Sequence, residues 1–481
     1  MLYLVACLLS VPLLQFLSRP HVPLTQQLLA CLLLVLCTRP VAAHLSHETI
    51  RLPVFPIICL VYAICYALPI FFVEPILVSS VAAMGFERVS DKDTLQALKL
   101  ALLGVASMQI GFSMFQYSLI NLLVPKVRLR LDARNAKRLV IVLGFLGAFT
   151  LWLSVTDRLS LPPEFFYMSV LITKLTTLSI GLLYLYYLRG DLTPKEKASL
   201  VGILVITELL SVASSNFRAI IDPAVVVGAV FWMVKRKIPW KYFIIGALIF
   251  AAMQPVKAAF RFRVWKQGYA TNNIGERLAL WGELLGAGWT EVAHGENGAV
   301  AETTRGALSR TDIIHMFGRV LSMTPRYVPF QMGNTYSYLL YALVPRALWP
   351  SKPASQTANQ FFGVAYNFQD QKSIGETSIG IPHLIEAYVN FGTLGVLFVM
   401  MLIGMVYGAV DRLFNHLEAG EGAIVIYAVI MTTLWTIETG TAATFGAVIQ
   451  TILFYVIIFR FVGVHRIRQN SLSVAGVPKA A

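Results

Sequence analysis

The chain has 481 residues, of which 57% are hydrophobic and 13% charged, and its net charge is +14. Soluble domains carry about 25% charged residues, and a mean hydropathy of +0.68 excludes that class. The cations sit mostly in short loops between apolar runs, which excludes a nucleic-acid partner and suits membrane orientation.

Apolar runs of about 20 residues recur almost from end to end, as membrane helices require. A bilayer offers no water to backbone groups, so these runs are predicted to be helical. The fold class expected is an all-α polytopic membrane protein. Its first stretch, MLYLVACLLSVPLLQFLS (1–18), has a signal-peptide-like core without a basic start or a small-residue cleavage site, and is read as an uncleaved span. Further spans are predicted at 24–38, 54–83, 95–124, 139–155, 165–188, 199–215, 219–234, 242–257, 383–410, 422–441 and 444–462, about twelve in all, the second of them short. The five cysteines (Cys7, Cys31, Cys37, Cys59 and Cys65) fall in the first three apolar segments, so neither a structural disulfide nor a metal site is expected.

Orientation follows from the basic loops. KVRLRLDARNAKR (126–138) carries six cations, RGDLTPKEK (189–197) three and KRKIPWK (235–241) four, all after even-numbered spans. With Arg39, Arg51, Arg412, Arg460, Arg466 and Arg468 that side holds nineteen, against five opposite (Arg19, Arg88, Lys92, Arg158 and Arg218). The positive-inside rule then places both termini in the cytoplasm. The division expected is a membrane bundle of about nine spans over 1–257, an extracytoplasmic loop over 258–382, about three spans over 383–465 and a tail over 466–481.

That loop is too long for a passive connection. NNIGERLALWGELLG (272–286) and SRTDIIHMFGRVLSM (309–323) have apolar residues at helical spacing, and YSYLLYALVPRALW (336–349) is apolar enough to dip into the interface before Pro345 breaks it. The loop holds eight arginines (Arg261, Arg263, Arg277, Arg305, Arg310, Arg319, Arg326 and Arg346) against three lysines (Lys266, Lys352 and Lys372). Arginine binds carboxylate or phosphate at two points, so the bias points to an anionic headgroup at the membrane surface. Arg261 and Arg263 follow a span end, while Arg346 and Lys352 sit among prolines in PRALWPSKP. The alternative is that such arginines merely snorkel to lipid phosphates.

SIGETSIGIPHLIEAYVNFGTLG (373–395) brings glycines, Glu376, His383, Glu386, Tyr388 and Asn390 to the head of a span. Glu386, Glu376 or His383 could take a proton from an attacking hydroxyl. Equally, Glu386 could pair with a loop arginine, and Tyr388 and Asn390 could anchor the start of the helix. Glu74, Lys174, Glu208, Asp222 and Glu438 are the ionisable residues predicted inside spans, where such groups are functional candidates by default. No nucleotide-binding or metal-binding motif is found.

The order of these features, with RFR after a span, then GNTYSYLLYALVPRALWPSKP, then GxxxxxEAYVNFGTLG running into a span, resembles bacterial O-antigen and exopolysaccharide repeat-unit polymerases. These are Wzy-type, GT-C-like glycosyltransferases related to O-antigen ligases. The resemblance covers Arg261 to Gly395. It implies an inner-membrane, inverting, metal-independent and cofactor-free enzyme that joins undecaprenyl-diphosphate-linked oligosaccharides on the outer face, with a chain-length regulator and a flippase as possible partners. It also implies a diphosphate- and glycan-binding set among Arg261, Arg263, Arg310, Arg319, Arg346, Lys352, Tyr388 and Asn390, and a base among Glu386, Glu376 and His383. The alternatives are a ligase using another acceptor, and a transporter or flippase of the lipid-linked glycan, which should show broken helices and repeated halves.

Overall fold

A computed structural model describes residues 14–15, 22–46, 51–78, 86–129, 133–158, 162–237, 240–268, 273–293, 311–344, 349, 351–353, 356–374, 379–416 and 418–461. Among them, eight helices are long and apolar enough to cross a membrane. The chain is therefore an α-helical membrane protein. Most of the expected first span and the whole 466–481 tail lie outside the described residues.

Helix α1 (Leu24–Ser46) runs well past its predicted end and contains Pro40. Proline has no N–H for the carbonyl four residues back, and Gln109 Nε2 donates to that carbonyl, Leu36 O, at 2.8 Å. Helix α2 (Val54–Phe72) includes a π-helical turn at Ala63–Ala67. It stops eleven residues short of the predicted boundary at 83, because the chain turns extended at Val73. Pro75 disfavours helical backbone at the residue before it, so Glu74, predicted inside a span, is exposed beyond the helix end. Two short antiparallel strands follow, β1 (Ile76–Val78) and β2 (Phe86–Arg88), with Leu77 opposite Glu87.

Helix α3 (Asp91–Tyr117) starts at a Ser90 cap that accepts from the Asp93 N–H, the usual way to satisfy an orphan donor at a helix start. Helices α4 (Ala133–Val155), α5 (Pro163–Arg189), α6 (Pro194–Ala213), α7 (Phe217–Lys235) and α8 (Trp240–Arg261) continue the bundle. Between α5 and α6, Thr193 and Glu196 form a reciprocal capping box. The segments predicted to be amphipathic form α9 (Ile274–Ala293), α10 (Ile313–Met323) and α11 (Asn334–Leu343), which ends before Pro345, and α12 (Thr357–Ala365) follows. The last three helices are α13 (His383–Phe414), α14 (Gly420–Leu434) and α15 (Thr441–Phe461).

The most extensive helix pairing lies between α3 and α13. Glycines let these backbones approach: a Cβ on Gly111 would overlap the Met401 carbonyl, one on Gly404 the Met108 carbonyl, and one on Gly408 would stand 2.9 Å from the Phe115 ring. Gly404 and Gly408 form a small-xxx-small pair, the pattern that brings membrane helices close. Helix α13 is not continuous. Gly392 has φ 64 and ψ −148 inside it, a region that only glycine adopts readily. The element is thus a half-helix, His383–Phe391, followed by a longer segment to Phe414.

Candidate functional site

The half-helix is held by backbone and side-chain bonds from both flanks. At its broken end, the N–H groups of Gln331 and Met332 donate to Val389 O (3.0 Å) and Asn390 O (3.1 Å), satisfying carbonyls that the break would leave bare. Asn390 is fully buried. It accepts from the Gly333 N–H at 2.9 Å and donates to Thr335 Oγ1 at 2.7 Å and Glu386 O at 2.8 Å. The left-handed Gly333 (φ 90) opens α11, so a single amide fastens the start of α11 to the half-helix.

Glu386 sits in the first turn of α13 and is 0% exposed. One oxygen, Oε2, accepts from the Thr441 N–H at 2.7 Å and from Thr441 Oγ1 at 2.6 Å. The other, Oε1, has no partner within hydrogen-bonding distance, although the Thr335 hydroxyl and the buried Tyr336 both interact with this carboxyl. Among the described residues no cation pairs with Glu386, whose bonds go to Thr441. A buried polar oxygen without a partner is rare enough in native proteins to mark a functional candidate.

His383 is also fully buried. Its backbone N–H donates to Ile437 O at 3.1 Å, its Nε2 lies 3.4 Å from Thr444 Oγ1, and its ring stacks on Phe445 at 5.7 Å. It therefore packs against the start of α15, as Glu386 does. Asn359 of α12 completes this corner: its Oδ1 accepts from the N–H groups of Ile381 (3.0 Å) and Gly440 (3.2 Å). Tyr388 lies on another face, edge-on to Phe317 and Phe330, with its hydroxyl 3.5 Å from Thr324 O.

The proposed anion-binding residues are scattered. Arg261 donates from Nε to Ser215 Oγ at 3.2 Å and from a terminal nitrogen to Ser215 O at 3.0 Å, which ties it to the α6–α7 turn. Together with Arg277, Asp157 and Asn216 it lines a cleft of 500 Å³. Arg263 pairs with Glu283 at 3.1 Å on an exposed surface. Arg319 is buried on α10, its Nε 3.4 Å from Tyr366 O, and burial lowers its guanidinium from the ordinary value. Lys352 donates to Tyr341 O (3.2 Å) and Val344 O (2.6 Å), closing the C-terminal end of α11 as cations favourably do. Arg310, Arg346 and Glu376 lie outside the described residues. Thus Glu386, His383 and Asn390 share one corner, Tyr388 and Arg319 are linked to each other through Tyr366 and Thr324, and Arg261 and Arg263 stand apart on α8.

Sequence reasoning missed the threonines and a second charged group. Thr335, Thr441 and Thr444 supply the hydroxyls that face Glu386, Asn390 and His383; the TGTAAT run (439–444) was the only signal for the last two, and Thr335 stood unremarked in GNTYSYLL. Lys174, which the sequence left isolated, has its Nζ 3.3 Å from Thr433 Oγ1 and 3.4 Å from Thr451 Oγ1. It interacts electrostatically with Arg218 and Asp222, which lie 3.8 Å apart on α7. Arg218 also donates to Thr432 O at 2.8 Å. This group braces the C-terminal end of α14, one short turn away from the Thr441 that holds Glu386.

No curated protein and no solved structure matches the chain. A family model described as a domain of unknown function (DUF8712) matches residues 35–471. That match takes in α2 to α15, the Glu386 corner and the Lys174 group, and the chain accordingly belongs to the DUF8712 family.

Proposed function

We propose that this protein is a metal-independent membrane glycosyltransferase that polymerises undecaprenyl-diphosphate-linked oligosaccharide repeat units. The reading places it in the bacterial inner membrane with about twelve spans, both termini in the cytoplasm and residues 258–382 outside. The observation that carries it is that the EAYVNFG string, on which the family resemblance rests, forms a buried polar half-helix broken at Gly392. In this reading Glu386 Oε1 takes the proton of an acceptor sugar hydroxyl. The new glycosidic bond forms at the donor sugar, the bond to diphosphate breaks, and the electron pair leaves with undecaprenyl diphosphate. Arginines of the 258–382 segment neutralise that leaving group. Because Glu386 is closed to solvent in this conformation, the acceptor must part the 331–336 segment from the half-helix before chemistry begins.

A second reading, a transporter of the lipid-linked glycan, draws support from the same break, since transporters place substrate at interrupted helices. It is the weaker one: among the described residues Gly392 is the only positive-φ residue in the interior of a helix, Gly420 standing at the first position of α14, and Gly392 lies near one end of its span. The deciding experiment reconstitutes the purified protein in vesicles with a lipid-linked repeat unit and nothing else. A ladder of polymer is expected. Product only when a different acceptor is added marks a ligase, and movement across the bilayer without bond formation marks a transporter.

A further inference from the structure

At the other end of the bundle from Glu386, on the order of 35 Å away along α13, lies a cavity of 830 Å³ between α1, the start of α2, α3 and the end of α13. Its walls are fixed by side-chain bonds to backbone. Gln109 fills the carbonyl vacated by Pro40 of α1. The Asn415 amide makes a two-point bond with Leu52, accepting from its N–H at 2.9 Å and donating to its carbonyl at 3.0 Å. That bond pins the segment carrying Arg51 to the end of α13.

Charge at the cavity is one-sided. Two guanidinium groups, Arg39 and Arg51, line it against a single carboxylate, Asp411. Asp411 Oδ1 is already engaged, accepting from Asn415 Nδ2 at 2.7 Å and Tyr427 Oη at 2.9 Å. Asp411 also interacts electrostatically with Arg51, though among the described residues no carboxylate lies within ion-pair distance of either arginine, so one carboxylate faces two guanidinium groups. The rest of the lining is mostly apolar, and its lip on α3 is open, with Ile110 54%, Met114 50% and Tyr117 90% exposed. A soluble anion would use the arginines and leave that apolar wall bare. A phospholipid uses both, its phosphodiester on the guanidinium groups and its acyl chain along α3.

We propose that this cavity binds an anionic glycerophospholipid from the surrounding leaflet. The site stands on its own residues and does not depend on the glycan reading. The test is native mass spectrometry of the full-length protein in mixed micelles holding equal phosphatidylglycerol and phosphatidylcholine. Wild type should retain phosphatidylglycerol preferentially, by about tenfold, the ratio that 1.4 kcal/mol of headgroup recognition gives. R39Q/R51Q should lose the preference, and R39K/R51K should keep part of it. Ala106→Phe, which fills the cavity without touching a charge, should lower retention of both lipids. Equal retention of the two lipids by wild type overturns the proposal, as does a preference unchanged in R39Q/R51Q. Displacement of phosphatidylglycerol by glycerol phosphate alone would also overturn it, assigning the site to a soluble anion. Wild-type selectivity decides the matter even where a variant fails to fold.

Discussion

Gly404 of α13 lies so close to Met108 of α3 that any Cβ on it would overlap the Met108 carbonyl oxygen. The clash is with backbone, so no side-chain rotation relieves it, and Gly111 faces the Met401 carbonyl in the same way. Gly404→Ala should force the two helices apart and lower stability by about 1–3 kcal/mol, the usual cost of overpacking. Gly202, which has no neighbour in reach of a Cβ, should accept alanine without loss. A melting temperature measured in detergent for both variants checks this; equal melting of the two would show that the α3–α13 contact is not close-packed.

A carboxyl that serves only as a hydrogen-bond acceptor can be replaced by an amide, because the amide oxygen still accepts from the Thr441 N–H and hydroxyl. Glu386→Gln should therefore keep near-normal protein levels and melting while abolishing polymer formation, if Oε1 handles a proton. Thr441→Val removes one of the two donors to Oε2 and should cost about 1–2 kcal/mol of stability. The two variants separate the chemistry from the scaffold. Full polymerase activity in Glu386→Gln would reject the base role.

Hydropathy located the helices because burial in lipid imposes a length and a composition. It also misplaced the end of α2, since the run around ILVSSVAAM stays apolar past Phe72 while Pro75 has already ended the helix. The break at Gly392 was illegible for a different reason. Glycine is common in membrane helices, and what makes this one non-helical is the 331–332 segment that supplies N–H donors to Val389 and Asn390, some sixty residues earlier in the chain. Of the candidate site, Glu386, His383 and Asn390 were legible as a polar cluster at a helix start. The arginines were not resolved by type: Arg261 and Arg263 look alike in sequence, yet one braces the α6–α7 turn and the other pairs on the surface with Glu283.

The α13–α14 turn carries a pH-sensitive contact. His416 Nε2 donates to Val127 O at 3.0 Å, while Nδ1 is buried with no hydrogen-bond partner. Burial lowers the imidazole from its ordinary value, with the Val127 carbonyl acting in the opposite direction. A depressed value means that the folded state disfavours the imidazolium. Its contribution is thus complete above the unfolded value of about 6.5 and is lost as pH falls through the folded one. Wild type should lose melting temperature on acidification from about pH 7 to about pH 5, and His416→Gln should show a shallower decline. Identical declines in the two proteins would remove His416 from the account.

Lys174 and Asp222 lie on α5 and α7 and interact electrostatically across the bundle. Buried charges of this kind cost more to leave unpaired than they return when paired. Asp222→Asn leaves Lys174 facing Arg218 without a counter-charge, and should destabilise the protein by about 3 kcal/mol. Lys174→Met removes the cation but leaves Asp222 its Arg218 neighbour at 3.8 Å, so the loss should be smaller. In the double variant both charges of the pair are gone, and the total should fall short of the sum of the singles by about 1 kcal/mol or more, as residues in one network do. The measurement is a double-variant cycle read by thermal or denaturant unfolding in detergent. Additive losses would mean that Lys174 is held by Thr433 and Thr451 alone and that the α14 end is braced by Arg218 without it.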